Sequence, residues 1–138
     1  MYHSVSQSIT NATETTLAFD SERWDTDTMH DTVTNNSRIT FKTAGLYLLN
    51  FSFEFPTHGT GYRYGLIRIN GSGNPVAFES KDSASVASGV GFAIASLYKF
   101  AVNDYVEARV YQTSGGALNV TAAAPYSAEF SAVWVGLG

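Results

Sequence analysis

The stretch LYLLNFSFEF, residues 46–55, decides the fold. Tyr47, Leu49, Phe51, Phe53 and Phe55 fall on one side of an extended chain, and Leu46, Leu48, Asn50, Ser52 and Glu54 on the other. A repeat of two is that of a β-strand, whereas a helix would group apolar residues three and four apart. Five large apolar side chains in a row on one side require a core to receive them. The other side opens with two leucines, which also favour burial.

The same alternation recurs along the chain. In VGFAIASLYKFA, residues 90–101, Phe92, Ile94, Tyr98 and Phe100 share a side, and the small residues Gly91, Ala93 and Ala95 share the other with Leu97. DYVEARVYQ, residues 104–112, sets Val106, Ala108 and Val110 against Tyr105, Glu107 and Arg109. The final run alternates Phe130, Ala132 and Trp134 with Ser131, Val133 and Val135. YRYGLIRIN, residues 62–70, is looser, with Arg63 and Arg68 on opposite sides. Shorter extended pieces are expected at residues 16–19 and 38–42. Turn residues separate the runs at 57–61, 70–75, 81–85, 102–104 and 114–116. Strands at this spacing predict an all-β, antiparallel sandwich or barrel. The polar residues 1–8 read as a flexible leader and 9–138 as one domain, with no internal repeat.

Composition narrows the function classes. A chain of 138 residues suffices for one self-sustaining core. Eight basic residues against a net charge of −4 leave no basic stripe for a phosphate backbone, so nucleic acid is not an expected partner. No apolar run approaches the ~18 residues of a membrane helix, and no membrane insertion is expected. There is no cysteine, hence neither a disulfide framework nor thiolate chemistry.

Three runs are apolar or small on both sides: 46–55, 90–101 and the last. A sandwich covers one side of each sheet with itself, and a water-facing side would alternate polar residues. The second side therefore calls for another chain, and self-association is expected.

In order and spacing these segments resemble the globular domain of the complement C1q and tumour necrosis factor superfamily. The likeness rests on Ile39, on Gly45-Leu46-Tyr47 with the aromatic alternation through Phe53, on Asn103-Asp104-Tyr105-Val106, and on Phe130-Ser131-Ala132-Val133-Trp134-Val135. It runs from about residue 9 to the end. Ala132 and Asn103 stand where the family usually has glycine; asparagine tolerates the left-handed turn conformation, so the second change is mild. The resemblance implies a jelly-roll β-sandwich that assembles as a homotrimer. Carried over by position, it turns Leu48, Asn50, Phe130 and Trp134 toward neighbouring subunits, with Ala93 nearby.

The acidic stretch DSERWDTDTMHD, residues 20–31, tests the enzymatic and metal readings. Asp25-Thr26-Asp27 begins like a calcium loop, but Met29 follows where an oxygen belongs, and neither the turn glycine nor the closing glutamate is present. The leading expectation is no metal and no cofactor, with Trp24 and Met29 pinned to the core and the carboxylates capping turns. A calcium site assembled across loops would draw on Asp25, Asp27 and Asp31. Catalysis is not expected: His3, His30 and His58 lie in separate polar segments, there is no G-x-S-x-G nucleophile turn, and a polar loop offers little desolvation to separate pKa values.

The reading that emerges is a non-enzymatic trimeric structural or binding module. The absence of a collagen-like repeat, a signal peptide and cysteine directs it toward a phage virion: a tail- or head-fibre head, or a capsid-surface attachment, meeting other virion proteins or a host-surface carbohydrate or protein receptor. Tyr62, Arg63 and Tyr64, with the turn at 70–75, are the expected receptor contacts. The alternatives are a bacterial, spore-surface or secreted C1q-like ligand domain, which would be extracellular, and a calcium-dependent lectin-like module.

Overall fold

The computed structural model describes residues 1–83, 88–125 and 127–138, with only the backbone of Ser72 and Asn74; part of the turn expected at 81–85, and Tyr126, lie outside the described residues. Among the described residues there is no helix, and about half of the chain is strand. The strands are β1 (Gln7–Ile9), β2 (Thr15–Thr16), β3 (Arg38–Thr40), β4 (Gly45–Phe55), β5 (Tyr62–Ile69), β6 (Ser72–Asp82), β7 (Val90–Phe100), β8 (Tyr105–Gln112), β9 (Leu118–Val120) and β10 (Glu129–Gly136).

All pairings are antiparallel. One sheet has the order β10-β4-β7, and a second the order β2-β8-β5-β6 with β3 also on β8. A small third pair, β1-β9, lies beside them. The alternation read in residues 46–55 is the alternation of burial: Tyr47, Leu49, Phe51, Phe53 and Phe55 enter the core, joined by Phe92, Ile94, Phe100 and Phe130 of the same sheet. Ile39, Ile67, Val106, Ala108 and Val110 of the second sheet enter the same core. The molecule is thus an antiparallel β-sandwich whose two inner faces interdigitate.

Aromatic rings fill the space between the layers. Phe41 stacks on Phe100 with centroids 3.9 Å apart, and Phe53 on Phe92 at 4.5 Å. Phe53 also presses on the facing sheet, where a Cβ added to Gly65 would lie 2.3 Å from its Cε1. Glycine at that position lets a ring of one sheet meet the backbone of the other.

The β5–β6 connection is shorter than the turn expected over 70–75. Ile69 pairs with Ser72, so only Asn70 and Gly71 turn, with φ of 48° and 70°. Positive φ at both positions is the hairpin turn whose twist matches the strands, and Asn-Gly is its preferred sequence. β6 then runs on as an edge strand, where Pro75 is tolerated because its missing N–H need not face a partner. Asn103 takes φ of 70°, the conformation expected of an asparagine replacing a turn glycine.

Residues 1–8 are not a loose leader. The Met1 amine donates to the Phe130 carbonyl at 3.0 Å and Phe130 N–H donates back to Met1 at 2.9 Å. Tyr2 bridges Ser21 and Glu129, and His3 N–H donates to the Ala128 carbonyl at 3.0 Å. His3 is 2% exposed, its ring 4.9 Å from that of Phe19. Backbone pairing and a buried ring hold the segment where polar composition had suggested flexibility.

Candidate functional site

Three surfaces carry candidate chemistry. The first is the outer face of the β10-β4-β7 sheet. Leu48 pairs in register with Val133 on one side and Leu97 on the other, so the three side chains form one row across the sheet. They are 39%, 52% and 55% exposed respectively. Asn50, Ala93 and Ala95 continue the same face as small or short side chains, all exposed. Leu48, Asn50 and Ala93 therefore share the outer face of this sheet.

Phe130 and Trp134 do not. Phe130 is in register with Phe51 and Trp134 with Tyr47, both core residues, so both side chains take the inner face of the sheet. Phe130 is fully buried within its own subunit. Ser131 and Val133, in register with Asn50 and Leu48, take the outer face. A shift of one residue in phase exchanges the faces of a strand, and the register decides the phase.

The second surface is the outer face of β5, β6 and β8. Tyr64 stacks on Tyr111 with centroids 4.6 Å apart, Tyr62 lies 5.6 Å from Tyr111, and Phe78 lies 5.3 Å from Tyr64. The Tyr64 hydroxyl donates to Glu14 Oε2 at 3.3 Å, and burial together with the Glu14 charge pushes its pKa up to about 12. Glu14 also accepts from Arg68 at 3.0 Å and Arg109 at 3.2 Å. Burial works against its ionisation, but those two guanidinium groups outweigh it and hold the carboxyl below its ordinary range. Arg109 donates in turn to Glu107, and Arg38 to Glu107 from the far side.

Arg63, expected beside these tyrosines as a receptor contact, faces the other way. Its side chain is fully buried against the Phe55 ring. It donates to the carbonyls of Thr60 and Tyr62 at 3.0 Å each and of His58 at 3.4 Å. Odd-numbered residues of β5 point inward, so Arg63 fastens the 57–61 loop instead of meeting solvent. Burial without a counter-charge lowers its pKa.

The third surface is formed by the acidic stretch and β10. Asp25 Oδ1 accepts from Asp27 N–H at 3.1 Å and its Oδ2 from His30 N–H at 2.8 Å. Burial raises the Asp25 pKa, but backbone donors from His30, Met29 and Asp27 lower it further than burial raises it. Asp31 accepts from Val33 and Thr34 N–H at 2.8 Å each, which holds its carboxyl below the usual range. The carboxylates cap backbone turns, as the pattern of Asp and Thr suggested. Asp25, Asp27 and Asp31 are not brought together: among the described residues no group of three or more His, Cys, Asp or Glu side chains converges as a metal site would require.

Met29 packs on the core, but Trp24 is 71% exposed and not pinned to it. Beside it lies a cavity of about 140 Å³ between the loop and β10. His30 is enclosed at its wall, with Nδ1 2.7 Å from Glu22 and Nε2 3.1 Å from the Asn36 carbonyl. The cavity shares Trp24, Thr26, Met29 and Ala132 with an open cleft of about 560 Å³ that Trp134 also lines. Sequence reasoning missed this cleft. Its only local sign is an indole set among charged residues in a loop with no apolar neighbour to hide it.

Compared with models of protein families and with curated proteins, the chain matches none.

Proposed function

We propose that the chain is a non-enzymatic homotrimeric module of the C1q/tumour necrosis factor-like jelly-roll type, serving as a structural and recognition element of a phage virion. The strand order supports the jelly-roll reading. Successive long strands cross between the layers, with β4 in one sheet, β5 and β6 in the other, β7 back beside β4, and β8 beside β5. That wrapping distinguishes a jelly roll from a plain meander.

The observation that carries the trimer is the row Val133–Leu48–Leu97 on the outer face of a sheet whose inner face is already a complete core. Flanking alanines allow close approach of a second backbone. An obligate interface of ordinary size buries on the order of 2,000 Å² or more, most of it apolar, and would cover this face. Measurement of the sedimentation mass of the purified chain tests the reading directly. The recognition role falls to exposed aromatic surface away from that face, at Tyr62 and Tyr64 with Tyr111 and Phe78 beside them. Tail or capsid genes flanking the gene for this chain would support the virion assignment, and a neighbourhood of collagen-repeat or spore-coat genes would overturn it.

A further inference from the structure

The chain has two tryptophans, and both line the cleft between the 24–29 loop and β10. Tryptophan carries one of the strongest drives to leave water, yet Trp134 is 48% exposed and Trp24 more so. Both indoles are placed by backbone features. Trp24 precedes the Asp25 turn, and the indole of Trp134 lies over Gly45, where an added Cβ would come within 2.4 Å of its Nε1. A side chain at position 45 would displace that wall of the cleft.

Polar groups line the same cleft. Asp27 accepts from the Thr43 hydroxyl through Oδ2 at 3.5 Å, and among the described residues its Oδ1 has no side-chain or backbone donor. The Thr26 side chain also lines the cleft, and the Tyr47 hydroxyl donates to the Thr43 carbonyl at 2.8 Å. Aromatic faces for an apolar surface, with a carboxylate and hydroxyls in the same cleft, complement a sugar ring. The C–H side of a pyranose carries positive edge charge that suits the negative face of an indole, and its hydroxyls donate well to a carboxylate. The volume suits one or two sugar units and falls within the range of small-molecule sites. A quaternary ammonium would need enclosure by several ring faces. Here Tyr47 is packed into the core against Phe41, so only the two indoles offer faces.

We propose that this cleft binds a neutral hexopyranose unit of a glycan, with Trp24 and Trp134 as stacking surfaces and Asp27 as acceptor for its hydroxyls. The site uses no residue of the receptor row on β5, β6 and β8, and it meets the outward row of the β10-β4-β7 sheet at Val133, which also lines the cleft.

Because both tryptophans line the cleft, their fluorescence reports on its occupancy. The full chain is titrated with the methyl glycosides of glucose, galactose, mannose and N-acetylglucosamine, with the corresponding trisaccharides, and with tetramethylammonium chloride, while its sedimentation mass is recorded on the same sample. The expected result is a saturable emission change with at least one sugar, unaffected by chelator and weakened about tenfold in Trp24→Ala, whose exposed side chain is dispensable for folding. No saturable change with any sugar overturns the proposal. So does a response that Trp24→Ala retains in full, or a response to tetramethylammonium alone. A chain that titrates with sugar yet sediments as a monomer keeps the glycan site and removes the trimer; a trimer that ignores every sugar does the reverse.

Discussion

Substitution of Leu48 by glutamate tests the assembly at its centre. Leu48 lies between Val133 and Leu97 in the outward row, and each of the three keeps between about two-fifths and a little over half of its surface in water. Full burial of such a side chain is worth about 1.5–3 kcal/mol, so covering the exposed part contributes about 1 kcal/mol for each residue. Leu48→Glu forfeits that contribution and adds an unpaired carboxylate to the contact, at a cost of several kcal/mol. The sum is about 4 kcal/mol per subunit, close to a thousandfold in each association step. The inner face is untouched, so the variant should fold with the thermal behaviour of an isolated subunit. In sedimentation velocity at micromolar concentration the parent chain should run near 45 kDa, three times its 14.9 kDa mass, and Leu48→Glu near one subunit. Val33→Glu, on an exposed loop, should leave the mass unchanged. The reasoning fails if the parent chain is monomeric at that concentration, or if Leu48→Glu sediments with it.

Arg63→Met should lower stability by about 2 kcal/mol in urea, because it strands the loop carbonyls of Thr60 and His58, while the Tyr62 carbonyl keeps the Thr113 N–H; a loss below about 1 kcal/mol would contradict the clamp. Burial lowers the His3 pKa, against the opposing pull of the Asp20 charge and the Ala18 backbone. Its folded pKa is depressed, so the unfolded chain binds the extra proton, and stability should fall as pH drops below about 6.5, by up to about 1.4 kcal/mol per pH unit, until the folded form also protonates. Urea midpoints at pH 7.5 and 5.5 should show this loss in the parent and a smaller one in His3→Phe; equal losses would assign the effect elsewhere. Calcium or a chelator should move the melting temperature by no more than about a degree, since Asp25 and Asp31 already serve backbone amides; a clear rise with calcium would revive the cross-loop metal site.

Within each strand, sequence was sufficient. The alternation in residues 46–55 identified strand β4, the side that enters the core and the side that faces outward, because side-chain direction along an extended chain is a local property with a period of two. The turn residues placed most strand ends, and Asn103 took the left-handed conformation its chemistry allows. Three placements depended on tertiary structure. Phe130 and Trp134 share a side of β10, but only pairing with Phe51 and Tyr47 showed that this side is the inner one. Arg63 reads as a surface charge until the 57–61 loop folds over it and supplies carbonyls. Trp24 reads as a core anchor until the loop, held by Asp25, carries it beside Trp134 to form the cleft. Periodicity is written in neighbouring residues, so one strand reveals its two faces; which face meets which is fixed by contacts between residues far apart in the chain, and those exist only once the sheets have closed.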